Sequence, residues 1–132
     1  MAGERVLVVE DNEVGMKLFR DVLLATGYRT LEATTGRQAV ELAAEHAPDL
    51  VLMDIQLPDI DGVESLRQLR ADVRTASIPV LAVTAQAMQG DRDRFLAAGF
   101  DGYLPKPVDV LEFIGAVRKH CGGRGGASSR PM

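Results

Sequence analysis

The 132-residue chain has a single cysteine, Cys121. A lone thiol closes no internal disulfide, so a reducing, cytoplasmic setting is expected. Basic residues do not dominate either: 15 Lys and Arg face 19 Asp and Glu, for a formal net charge of −4. Nucleic-acid partners usually go with a basic domain, so none is expected. No apolar run approaches the ~18 residues of a membrane span, and the N-terminus lacks the long apolar stretch of a secretory signal. No membrane partner is therefore expected. The two histidines, His46 and His120, fall late in helical patterns with no second ligand or nucleophile beside them, and read as surface or capping residues. What the chain does have is 46% apolar and 26% charged residues, enough to build the core of one ordinary domain.

The stretch from Pro48 to Pro58 organises that domain. Leu50, Val51, Leu52 and Met53 are too few for a helix and are flanked by proline, so they read as a strand buried on both faces. Asp54 falls at its carboxyl end, where open parallel sheets place their ligand chemistry. A second such run, Val6 to Val9, ends in Glu10 and Asp11. A third, Pro79 to Val83, ends at Thr84. Two weaker strands are expected at Arg29 to Ala33 and at Gly102 to Pro105, the latter running into Lys106 and Pro107. Helices fill the gaps. Val14 to Thr26 carries Leu18, Phe19, Val22 and Leu23 at helical spacing and is stopped by Gly27. Thr35-Gly36-Arg37-Gln38 and Asp61-Gly62-Val63-Glu64 have capping-box spacing. The helix after Asp61 presents Val63, Leu66, Leu69 and Val73. Gln89 to Ala98 is a weaker helix closed by Gly99. The last helix starts after Asp109 and presents Val110, Ile114, Val117 and Cys121. From Gly122 the chain is rich in glycine and poor in apolar residues, so residues 1–121 are expected as the domain and 122–132 as a disordered tail.

Five strands alternating with five helices predict an α/β fold, a doubly wound parallel sheet of flavodoxin-like (βα)5 type. With the three apolar strands central, the strand order is 2-1-3-4-5. Glu10, Asp11, Asp54, Thr84 and Lys106 then collect at one end of the sheet. Singly, each has an ordinary reading as a cap, turn or surface residue; together they point to chemistry. Converging carboxylates repel unless a cation offsets them. Oxygen-only ligands with no His or Cys nearby favour Mg²⁺. An Asp54 oxygen is placed for in-line attack on a phosphoryl group, with the Thr84 hydroxyl and the Lys106 ammonium on its other oxygens.

Val8-Val9-Glu10-Asp11-Asn12, Leu52-Met53-Asp54 with Leu57-Pro58 and Asp61-Gly62, Val83-Thr84-Ala85, and Tyr103-Leu104-Pro105-Lys106-Pro107 resemble the receiver domain of bacterial two-component response regulators. The resemblance spans residues 5 to about 121. It implies a phosphorelay protein with Asp54 as phospho-acceptor. Mg²⁺ would be held by Glu10, Asp11, Asp54 and the main-chain carbonyl of Gln56. Thr84 and Lys106 would contact the phosphoryl group. It further implies a switch in which Thr84 moves inward and Tyr103 follows, and a cis Lys106-Pro107 bond. The implied partners are a histidine kinase or histidine phosphotransfer protein, meeting the chain near Asn12, Glu13 and Met16, and a downstream effector, with Met88 and Arg92 as contact candidates. Val9 to Glu13, Met16 to Phe19, Gly27-Tyr28, Pro48 to Leu50, Leu52 to Pro58 and Ala87-Met88 also look like the free-standing DivK-type regulators of cell cycle and polarity.

The resemblance implies a signalling protein rather than an enzyme, with no output domain expected in residues 122–132. Three other readings compete with it. A Mg²⁺-dependent aspartyl-nucleophile phosphatase needs a second acid two residues past its nucleophile, and Gln56 stands there. A pseudo-receiver that binds partners without phosphorylation sits poorly with the intact set of five residues. A flavin site is weaker still, because the first strand's loop is acidic where a phosphate cradle needs donors.

Overall fold

A computed structural model describes residues 3–85 and 91–129, with the backbone alone for Asp91 and 122–129. Its elements run β1 Arg5–Val9, α1 Glu13–Ala25, β2 Arg29–Ala33, α2 Gly36–His46, β3 Leu50–Asp54, α3 Gly62–Ala71, β4 Val80–Thr84, α4 Asp91–Ala98, β5 Gly102–Pro105 and α5 Val110–Ser129. The strands form one parallel sheet in the order β2-β1-β3-β4-β5, as the sequence predicts. β3 and β4 are buried along their whole length and β1 from Val6 onward, whereas β2 and β5 are only partly covered. A wholly apolar strand gains most by being flanked on both faces and both edges, which puts it in the middle.

The helices lie in two layers. Ala39 and Ala43 of α2, Leu66 and Leu69 of α3 and Phe95 of α4 pack with Leu7, Val9, Val51, Met53, Val80 and Ala82. Phe19 and Leu23 of α1 and Phe113, Val117 and Cys121 of α5 pack with Val6, Val8, Leu50, Leu52, Leu81 and Val83. Even-numbered residues of β1 and β3 therefore face α1 and α5. On β4 the alternation is offset by one, and even-numbered residues face the other layer.

The caps follow local chemistry. Asn12, Thr35 and Asp61 each accept an N–H bond from the residue three further on, at 3.0, 3.0 and 2.8 Å. α1 ends as a Schellman motif: Tyr28 N–H reaches Leu23 O, Gly27 N–H reaches Leu24 O, and Gly27 has φ 96°.

Three apolar positions expected in the core lie on the surface. Val73 is 91% exposed, because α3 stops at Ala71 and Asp72 is extended (φ −102°, ψ 124°); helical spacing no longer applies beyond that point. Leu18 and Val110 are exposed, their places in the core taken by Met16 and by Phe113, whose ring stacks on Phe19 at 5.2 Å. At the other end of α5 the sequence predicts disorder after Cys121, yet the backbone is helical to Ser129. A helix already anchored by Val117 and Cys121 adds turns at propagation cost, about 1 kcal/mol for each glycine.

Candidate functional site

Three strands deliver charge to one point. Glu10 follows β1, Asp54 ends β3 and Lys106 follows β5, and all three meet on the α1/α5 side of the sheet. The Lys106 Nζ donates to Glu10 Oε1 at 2.8 Å and to Asp54 Oδ2 at 3.2 Å. Glu10 is 1% exposed and Asp54 is buried as well. The remaining carboxylate oxygens take backbone donors: Asn12 N–H reaches Glu10 Oε2 at 3.2 Å, and Gln56 N–H reaches Asp54 Oδ1 at 3.0 Å. The peptide bond between Lys106 and Pro107 is cis, and the Lys106 N–H is held by Thr84 O at 2.8 Å.

One ligand oxygen from each of Glu10, Asp11 and Asp54 lies within 4.8 Å of the other two, with Asp11 exposed. The donors are oxygen only, two of the three carboxylates are buried, and the third opens to solvent. That set fits a hard divalent cation such as Mg²⁺, which keeps several of its waters. Glu10 also lines, with Asp11, Asn12, Glu13 and Met16, a groove of about 410 Å³ along the start of α1.

Burial pushes the Glu10 carboxyl above its ordinary value, and Asp54 beside it pushes the same way, against the pull of Lys106. Burial also pulls on Lys106, but Glu10 and Asp54 outweigh it and hold the ammonium above its usual value. The Glu10 shift carries a pH dependence. Folded protein keeps this proton at pH values where the unfolded chain has lost it, so stability falls as pH rises from 4.5 through the raised value. Below 4.5 the contribution is complete. In metal-free buffer, urea midpoints for the parent protein are expected to fall over that window more steeply than those of Glu10→Gln. Parallel profiles would count against burial as the controlling effect.

Thr84 stands apart from this trio. It is buried at the end of β4, on the face covered by α2, α3 and α4. Tyr103 lies on that same face, two positions back along the neighbouring strand (Thr84 pairs with Pro105, Ala82 with Tyr103). It is half-buried and stacks on Phe95 of α4 at 5.7 Å and 24°. The structure thus brings together Glu10, Asp11, Asp54 and Lys106, and sets Thr84 and Tyr103 against the opposite layer. Asn12, Glu13 and Arg92 are exposed, but Met16 is buried in the core at 6% exposure. It turns inward because α1 presents Met16, Phe19 and Leu23 to the sheet in place of the face read from Leu18. Met88 lies outside the described residues.

Several neighbours of the site escape sequence reasoning. A Cβ on Gly62 would lie 2.7 Å from Asp54 O and 2.9 Å from Ile55 Cα, both backbone atoms, and one on Gly15 would lie 3.2 Å from Glu10 Cδ. Both glycines permit close approach to the site. The signal for Gly62 was its place as the first residue of a helix, where glycine has no propensity advantage. Asp59 caps α2 from a distance in sequence, and nothing in its neighbours announces that.

A family model described as the response regulator receiver domain matches residues 6–118. The polar-differentiation response regulator DivK of Brucella ovis is 48% identical over 117 residues, covering 89% of this chain and 95% of that protein. Among solved structures, the receiver domain of the sensor histidine kinase PA1611 from Pseudomonas aeruginosa PAO1 has magnesium coordinated in its active-site cleft. It superposes with a TM-score of 0.84 at 38% identity, covering 92% of this chain and 99% of that one. The receiver domain of the Francisella response regulator 1452 gives a TM-score of 0.83 at 26% identity, over 89% and 96% of the two chains. Among the described residues no helix is long and apolar enough to cross a membrane.

Proposed function

Because the chain belongs to the response regulator receiver domain family, we propose that it accepts a phosphoryl group on Asp54 from a histidine kinase or histidine phosphotransfer protein and signals through phosphorylation-dependent binding of an effector protein. The observation that carries this reading is the convergence of buried Asp54 with Glu10 and Lys106 at 3.2 Å or less from the lysine.

An Asp54 oxygen attacks the phosphorus of a phosphohistidine. The O–P bond forms as the P–N bond breaks, and the electron pair leaves with the imidazole, which takes up a proton. The Gln56 amide holds Oδ1 of Asp54, and Lys106 supplies fixed positive charge where negative charge accumulates. Glu10, Asp11, Asp54 and the Gln56 carbonyl would hold Mg²⁺, which would neutralise charge on the carboxylates and on the transferring group. The Thr84 hydroxyl takes a phosphoryl oxygen, and its movement is read by Tyr103, its diagonal neighbour on the same face.

The chain is a signalling protein in this reading, with residues 1–121 as its receiver unit and a cytoplasmic location, without nucleic-acid or membrane partners. Asn12, Glu13 and the surface around them meet the phosphodonor. The likeness to DivK supports a part in cell-cycle or polarity control.

The test is phosphotransfer profiling. Each histidine kinase of the source organism is labelled and offered briefly to the protein, with and without chelator. The expected result is rapid transfer from one or two kinases that stops when Mg²⁺ is removed. Folded protein that takes label from no donor would support a phosphorylation-independent binding module.

A further inference from the structure

The loop of residues 55–61 connects Asp54 to α3 and carries Gln56, whose N–H orients Asp54 Oδ1. Its far side is fastened to a different part of the molecule. Asp59 Oδ1 accepts from Gly36 N–H at 2.8 Å and Asp59 Oδ2 from Arg37 N–H at 3.0 Å. These are the first two amides of α2, which helix geometry leaves without intrahelical partners. Thr35 serves the third, Gln38 N–H, at 3.0 Å. The Arg37 guanidinium lies 3.5 Å from Asp59 Oδ2.

The attachment has more than one point. A Cβ on Gly36 would lie 2.5 Å from Ile60 Cγ1, so loop and helix are in tight contact. Ser65, in the first turns of α3, is fully buried and donates to Gly36 O at 3.0 Å. At its other end the loop closes on itself through Gly62 N–H to Ile55 O at 2.9 Å. Two helix amides accepted by the two oxygens of one side-chain carboxylate fix the loop's position better than packing alone.

We propose that Asp59 is a positioning residue: it clamps the loop bearing Gln56 to the N-terminus of α2 and so holds the Gln56 backbone and Asp54 in register for cation binding. This rests on the phospho-acceptor reading given above. Asp59 touches neither the cation nor the phosphoryl group; it acts through the loop, as outer partners of metal ligands do.

The experiment is calorimetric titration of the full chain with MgCl₂. Asp59→Ala is expected to weaken Mg²⁺ binding about tenfold, and Asp59→Asn, which keeps one acceptor oxygen, by less but by more than about twofold. Thr35→Ala takes a comparable cap from the same helix without touching the loop, and its Mg²⁺ affinity is expected to equal the parent's. Amide hydrogen exchange at Gly36 and Arg37 is expected to speed up in both Asp59 variants. Unchanged Mg²⁺ affinity in folded Asp59→Ala, or in Asp59→Asn should the alanine variant not fold, overturns the clamp. So does a loss in Thr35→Ala as large as that in Asp59→Ala, which would reduce the effect to general stability of α2. A parent protein that binds no Mg²⁺ at all overturns the phospho-acceptor reading itself.

Discussion

Asp54→Asn is expected to form no acyl phosphate with any donor, while keeping its fold. The amide retains an oxygen to accept from Gln56 N–H, now met at 3.0 Å by Asp54 Oδ1, so the loop after β3 has no reason to move. What disappears is the anionic oxygen that attacks phosphorus, and no neighbour can replace it. Glu10 is pinned by Lys106 and the Asn12 amide, and Asp11 is exposed at the rim. Mg²⁺ binding should weaken too, since affinity in oxygen sites follows the number of charged ligands. Unfolding is expected to stay within about 1 kcal/mol of the parent. The check is label incorporation, with the usual base-labile signature of an acyl phosphate, beside a urea curve. Base-labile label in the variant would mean that the acceptor is another residue.

The second large effect is expected at Lys106→Ala, and it has two parts. The ammonium pairs with both Glu10 and Asp54. Its removal leaves two buried carboxyls facing each other, and breaking such an arrangement by deleting one partner costs about 3 kcal/mol or more. Glu10 can limit the loss by keeping a proton, so the destabilisation in metal-free buffer should shrink as pH falls toward 4.5. Added Mg²⁺ should restore part of it at neutral pH. Phosphoryl uptake should fall about 10²-fold or more even where the protein is fully folded, as for loss of one preorganised donor to a developing charge. Uptake at the parental rate would remove Lys106 from the phosphoryl contacts and leave it a purely structural counter-ion.

These effects concern residues that the sequence already marked, and the reason is physical. Short apolar runs ending in polar residues are legible because a strand buried on both faces is apolar throughout, so Val6 to Val9, Leu50 to Met53 and Pro79 to Val83 located the strand ends that carry Glu10, Asp54 and Thr84. Helix faces were less legible. On α1 Leu18 and Met16 are both apolar but two residues apart and so on nearly opposite sides of the helix, and the side that packs inward is the one that carries Met16 with Phe19, whose ring stacks on Phe113. Val73 misled because periodicity does not say where a helix stops. Asp59 was illegible for a further reason. Its partners Gly36 and Arg37 are 23 and 22 residues away, and a carboxylate beside Pro58 looks the same whether it faces solvent or caps a remote helix.

The face of the sheet that Thr84 takes was beyond the sequence, and it reaches further than the site. Glu10, Asp54 and Lys106 approach from the α1/α5 layer and Thr84 from the other, so whatever occupies the space between them is grasped from both sides of the sheet. In the switch proposed above, anything that favours one position of Thr84 or Tyr103 would alter affinity at Asp54 by the same factor that occupancy at Asp54 alters affinity on the Phe95 side. Such linkage would make the receiving end of the molecule as able to control the phosphoryl group as the phosphoryl group is to control it. An effector held on the α4 surface would set how long Asp54 stays loaded, and the lifetime of the signal would be a property of the complex rather than of the chain alone.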